Sequence, residues 1–157
     1  MAYTLFKMLH ILSACLIISL WILSCIDTYF SYQKKDRATC IESLERLFNY
    51  NWYGIIPLSI WQILSGFMII AIEHYSYQLL WLKGTLMGIA TLFFIYASIL
   101  YLQHRAKMVL LNTDATSNTI PRVYHRLLRW RIVLGMLAFI VLCVMIYFMA
   151  NRTGLYT

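Results

Sequence analysis

The chain has 157 residues, 62% of them apolar, and its 13 basic against 6 acidic side chains leave a formal charge of +7. A mean hydropathy of +0.70 is too high for a soluble domain of this length. The same hydropathy makes loop topology, and not nucleic acid, the explanation of the basic charge.

Four apolar stretches, 3–31, 53–73, 78–103 and 129–150, each match or exceed the ~20 residues that cross a bilayer at ~1.5 Å per residue. They predict an all-α fold, a single four-helix transmembrane bundle over 1–157. The first stretch outruns the roughly 7–15-residue apolar core of a secretory signal and has no small-residue cleavage site after it, so it reads as a retained helix. Residues 36–49 then place Ile41, Leu44 and Phe48 on one face, an amphipathic helix expected to lie in the membrane surface. Asn51-Trp52-Tyr53-Gly54 marks the start of helix 2, with Trp52 at headgroup level. Pro57 follows in the first turns, where its missing N–H does least harm. Helix 2 ends at Glu73-His74, and the short 74–77 turn makes helix 3 its antiparallel neighbour. Helix 3 opens with Leu80-Trp81-Leu82-Lys83 and closes at Gln103-His104-Arg105. A polar loop over 112–118, followed by Pro121, leads to helix 4 near Arg129-Trp130-Arg131.

Lys34, Lys35, Arg37 and Arg46 follow helix 1, and Arg105, Lys107, Arg122, Arg126, Arg129 and Arg131 surround the connection from helix 3 to helix 4. These basic residues share one side, which the positive-inside rule makes cytoplasmic. Both termini are then expected on the periplasmic side, and anionic lipid headgroups are the expected partners of the basic loops.

An ionisable group inside a span is costly and is the first place to look for chemistry. Counted from Tyr3, His10 lies roughly 10 Å into helix 1; Lys83 lies about 7–8 Å from Gln78, and Gln62 about 16 Å from the outer end of helix 2. His10, Gln62 and Lys83 are therefore candidates to line one outward-leaning cavity with His74 at its rim. A neutral imidazole is the usual ligand of haem iron and a common copper ligand, which makes His10 the candidate metal ligand. The alternative is that His10 hydrogen-bonds a neighbouring helix and holds the bundle together. The Lys83 ammonium is expected to snorkel outward.

His104 and His125 read as members of a solvated basic patch in preference to a bis-imidazole pair. Asp27, about 25 Å along the axis from His10, is expected to pair with an arginine such as Arg129 or Arg131. Cys15, Cys25, Cys40 and Cys143 lack any C-x-x-C spacing and read as small packing residues. No paired-carboxylate, Ser-His-Asp, P-loop or H-E-x-x-H arrangement supports a hydrolase or a nucleotide enzyme.

Lys7-Met-Leu-His10-Ile-Leu-Ser-Ala14, Asn51-Trp52 with Pro57, Gln62, Ser65 and Gly66, and Arg129-Trp130 with Leu134-Gly135 and Ala138-Phe139 recur at matching spacings in a known family. In these segments the chain resembles the bacterial predicted integral membrane family known as domain of unknown function 2269. Asn51 replaces that family's usual acid, and one extra residue precedes the Leu-Gly pair. The plan is also similar to the CopD-like copper-resistance proteins and the HemJ-type protoporphyrinogen oxidases. The HemJ type holds haem b through a first-helix histidine that maps onto His10. Its third-helix lysine maps onto Thr85, two residues after Lys83.

The resemblance implies a multi-pass protein of the bacterial inner membrane. The favoured expectation is a protein binding haem b through His10, with Gln62 and Lys83 as further contacts, in electron transfer or porphyrin redox chemistry. The alternative is a non-catalytic bundle that helps assemble a larger membrane complex, with other membrane subunits or further copies of itself as partners. A copper-handling role comes third, because the methionines are scattered and no paired ligands converge.

Overall fold

The computed structural model describes residues 2–73, 79–113 and 120–150. The expected turn at 74–77 with His74, residues 114–119, and the side chains of Trp81 and Leu82 lie outside that description. Helix is the only regular structure among the described residues: α1 (Ala2–Gln33), α2 (Arg37–Asn49), a π-helical turn (Tyr50–Ile55), α3 (Ile56–Glu73), α4 (Leu79–Leu111) and α5 (Arg122–Ala150). Four helical runs are long and apolar enough to cross a membrane, so the protein is a multi-pass membrane protein whose outer surface meets lipid. The chain divides into two compact units, one holding α1 to α3 and the other α4 with α5.

In the first unit α1 runs 32 residues without glycine or proline. Its hydroxyls turn back on the helix, Ser19 Oγ donating to the Cys15 carbonyl at 2.9 Å and Thr28 Oγ1 to the Ser24 carbonyl at 2.6 Å. That keeps polar side chains satisfied where water is absent. Asp36 then caps α2, its carboxylate accepting from the Thr39 N–H at 3.0 Å. Cys40, Ser43, Leu44 and Leu47 form the buried face of α2, which packs on α1. That face is rotated by less than a quarter-turn from the Ile41–Leu44–Phe48 stripe, and Phe48 instead lies exposed against the Trp52 ring at 5.8 Å.

The amphipathic helix expected over 36–49 is not separate from the span expected over 53–73. The chain stays helical from Arg37 through the π turn into α3, the Ile56 N–H reaching back to the Asn51 carbonyl. Pro57 supplies the reason for a widened turn just before it. Lacking an N–H, it cannot bond the Tyr53 carbonyl, so the regular ladder is interrupted there in any case. Gly54 lets α1 approach this turn closely: a Cβ there would come within 2.6 Å of a Leu20 methyl, which would have to shift.

Asp27 finds its cation in this unit too. The expected partner is an arginine of the basic side such as Arg129 or Arg131; the one that approaches it is Arg46 of α2, from the same set of basic residues, Nε to Oδ2 at 3.9 Å. The continuous α2–α3 helix brings Arg46 back along α1 to that level.

In the second unit α4 and α5 pack along one another. The ten-residue connection spans at most ~35 Å, short of the ~50 Å length of α4, so the two helices are antiparallel. Their seam follows a three-and-four spacing, with Ile95, Ile99, Gln103, Ala106 and Leu110 on α4 and Tyr124, Leu128, Arg131, Gly135 and Ala138 on α5. Both helices exceed their apolar stretches: α4 continues past Gln103 to Leu111, and α5 begins at Arg122, not near Arg129. Pro121 sets that start, its carbonyl accepting from the Tyr124 N–H at 3.0 Å.

Candidate functional site

Helical spacing builds the site inside the first unit. His10 and Ser13 are three residues apart on α1, and Gln62 and Ser65 three apart on α3, so each pair projects from one face of its helix. The two faces meet. His10 Nδ1 lies 2.8 Å from Ser65 Oγ, and His10 Nε2 lies 2.9 Å from Gln62 Nε2. Ser13 Oγ donates to Gln62 Oε1, while also lying 2.9 Å from the His10 carbonyl. Ser65 Oγ reaches the Gln62 carbonyl at 3.2 Å.

Proton positions can be assigned around the imidazole, with the single Ser13 hydroxyl proton going either to Gln62 Oε1 or to the His10 carbonyl. The Gln62 amide N–H donates to Nε2, so the imidazole proton is on Nδ1 and is donated to Ser65, whose own hydroxyl proton goes to the Gln62 carbonyl. Exchanging the amide O and N gives the other neutral tautomer: Gln62 then accepts from Nε2 and donates to Ser13, whose proton goes to the His10 carbonyl, and Ser65 donates to Nδ1 instead of to the Gln62 carbonyl. In both arrangements each imidazole nitrogen is engaged by α3. His10 therefore ties α1 to α3 through both ends of its ring.

Gly66 makes that approach feasible. A Cβ built there would lie 3.3 Å from His10 Cε1, tighter than ordinary van der Waals contact.

Of the sequence candidates, His10 and Gln62 are in direct contact. Lys83 belongs to the other unit, near the start of α4, with its side chain exposed. His74 lies outside the described residues. His104 is exposed on α4, and His125 is within α5, not a turn before it, with its ring edge-on to Tyr124 at 5.5 Å. Ser13 was passed over in the sequence, while Ser65 reads there, with His10 and Gln62, as an interhelical packing and hydrogen-bonding feature. The matching three-residue offsets of His10–Ser13 and Gln62–Ser65 were the signal for both. Arg131 was counted among the loop charges, yet it is buried at 4% exposure in α5, within electrostatic range of Tyr96.

Ligation of haem iron or copper by His10 needs a free imidazole lone pair, and the fit to such a group is poor. The nitrogen without a proton accepts a hydrogen bond from Gln62 or, in the other tautomer, from Ser65. No group of three or more histidine, cysteine or carboxylate side chains converges among the described residues.

No curated protein and no solved structure matches the chain. A family model described as "Predicted integral membrane protein (DUF2269)" matches residues 4–153. The matched range includes the two helices whose polar side chains interlock here, and the chain belongs to that family of predicted integral membrane proteins.

Proposed function

We propose that the protein is a non-catalytic membrane component, an accessory or assembly bundle for a larger membrane complex, in which His10 is a structural tie. The observation that carries this reading is the engagement of both imidazole nitrogens by Ser65 and Gln62. A cluster in which both imidazole nitrogens and both ends of the Gln62 amide are engaged offers no free ring nitrogen to a substrate, and in lipid it fixes how two helices pair. Haem b ligation through His10, the expectation drawn from the resemblance, would require α3 to release one ring nitrogen.

An absorption spectrum separates the two. Protein purified in detergent after expression with haem precursor should show no Soret band, and His10→Ala should lower its melting temperature. A Soret band that disappears in His10→Ala would overturn the proposal in favour of haem. In mild detergent the native protein should migrate with other membrane subunits or further copies of itself, and a lone monomer would overturn the assembly role.

A further inference from the structure

We propose that the open face of the α4–α5 hairpin is a binding site for one acidic glycerophospholipid, with an acyl chain in its groove and the phosphate between Arg105 and Arg126. The groove is apolar and lies between the two helices, lined by Phe94, Ala97 and Tyr101 of α4 and by Trp130 and Leu134 of α5. From Phe94 to Tyr101 it runs roughly 10 Å along the helix axis, which suits a hydrocarbon chain parallel to it. Tyr101 and Trp130 are the outermost of these residues toward the connecting loop, and tyrosine and tryptophan mark headgroup level in membrane proteins.

Register carries the groove on to a pair of arginines. Arg105 follows Tyr101 by four residues on α4, and Arg126 precedes Trp130 by four on α5, each one turn beyond the aromatic pair on the same helix face. The antiparallel pairing that sets Gly88 against Met145 and Tyr101 beside Trp130 places the two arginines at one level. Both are exposed. Neither has an ion-pair or hydrogen-bond partner among the described residues.

Charge complementarity selects the occupant. The described parts of this unit hold Lys83, Arg105, Lys107, Arg122, Arg126, Arg129 and Arg131 and contain no aspartate or glutamate. Guanidinium groups one turn outside an aromatic belt lie where lipid phosphates lie, and their planar forks match phosphate oxygens. A zwitterionic lipid brings its own cation to the same place; an acidic one without an amine, such as phosphatidylglycerol, does not.

The test uses the full chain in dodecylmaltoside, titrated with phosphatidylglycerol or phosphatidylcholine while native mass spectrometry counts bound lipids. One phosphatidylglycerol should remain bound where phosphatidylcholine is lost. At about fivefold per arginine, Arg105→Gln with Arg126→Gln should weaken it about 25-fold. Lys35→Gln with Lys83→Gln removes the same charge elsewhere and should change it less than about threefold. Ala97→Trp, which fills the groove, should weaken binding with every charge in place, and glycerol 3-phosphate should not compete. Equal losses in the two charge-removal pairs would reduce the effect to general attraction and overturn the proposal. So would unchanged binding in Ala97→Trp, competition by glycerol 3-phosphate, or the absence of any preference between the two lipids. That last outcome would point to an acidic protein partner for the arginines. If the double arginine variant fails to fold, Ala97→Trp and the competition still decide the matter.

Discussion

Gly66 lies against the His10 imidazole so closely that a single methyl group would come within 3.3 Å of Cε1. The ring cannot retreat freely, because Ser65 and Gln62 hold it at 2.8 and 2.9 Å. Two effects of Gly66→Ala therefore oppose each other. The substitution gains ~1 kcal/mol of helix propensity and strains the imidazole contacts. Gly66→Ala should destabilise the native chain but stabilise a His10→Ala background, a coupling of ~1 kcal/mol or more in a double-mutant cycle read by thermal unfolding in detergent. Additive effects would remove the imidazole from that contact.

Gln62 should matter more than either serine. Its amide faces both His10 and Ser13, so Gln62→Leu leaves two partners unanswered, whereas Ser13→Ala removes one hydroxyl. Interhelical hydrogen bonds in membranes average ~0.6 kcal/mol, so Gln62→Leu is expected to cost about 1–2 kcal/mol and Ser13→Ala about half that. Unfolding in sodium dodecyl sulphate measures both.

The ion pair of Asp27 with Arg46 should contribute little. Arg46 stands off at 3.9 Å from Asp27 and at 2.8 Å from Glu42, one turn away on its own helix. Both pairs are partly exposed, and such pairs are worth under ~1 kcal/mol. Asp27→Asn should lower stability by less than ~1 kcal/mol in the same assay.

Topology follows from the basic residues flanking the Lys34–Asp36 linker and the α4–α5 connection. Reporter fusions after residues 35 and 115 should both report the cytoplasm, and a fusion at the C-terminus the periplasm. The opposite pattern would show that these charges do not orient the chain.

The spanning helices were legible because an apolar run of such length has few other uses. Their ends were not. Arg105 and Arg126 lie outside the apolar stretches read from the sequence yet remain helical, since the seam from Ile95 to Leu110 continues across polar sequence that a hydropathy window discounts. The join of α2 to α3 was hidden for a related reason: Asn51, Gly54 and Pro57 look like a turn, whereas a π turn takes in the first two and Pro57 falls in the first turn of α3. Depth counting put His10 and Gln62 within reach of one another but could not tell a cavity from a contact. That difference depends on how closely two helices approach, which Gly66 decides.

The Cys40 thiol is fully enclosed where α2 folds back on α1, with Sγ 3.9 Å from the Ser31 carbonyl and 4.0 Å from that of Lys34. Cys15 and Cys143, by contrast, are exposed on lipid-facing helices. A water-soluble maleimide should therefore modify Cys40 only when the first hairpin opens, and the rate of that reaction becomes a clock for local unfolding at one end of the molecule. Substitutions at the distant His10 cluster that loosen α3 from α1 should speed the clock, and those confined to α4 and α5 should leave it running at its native pace.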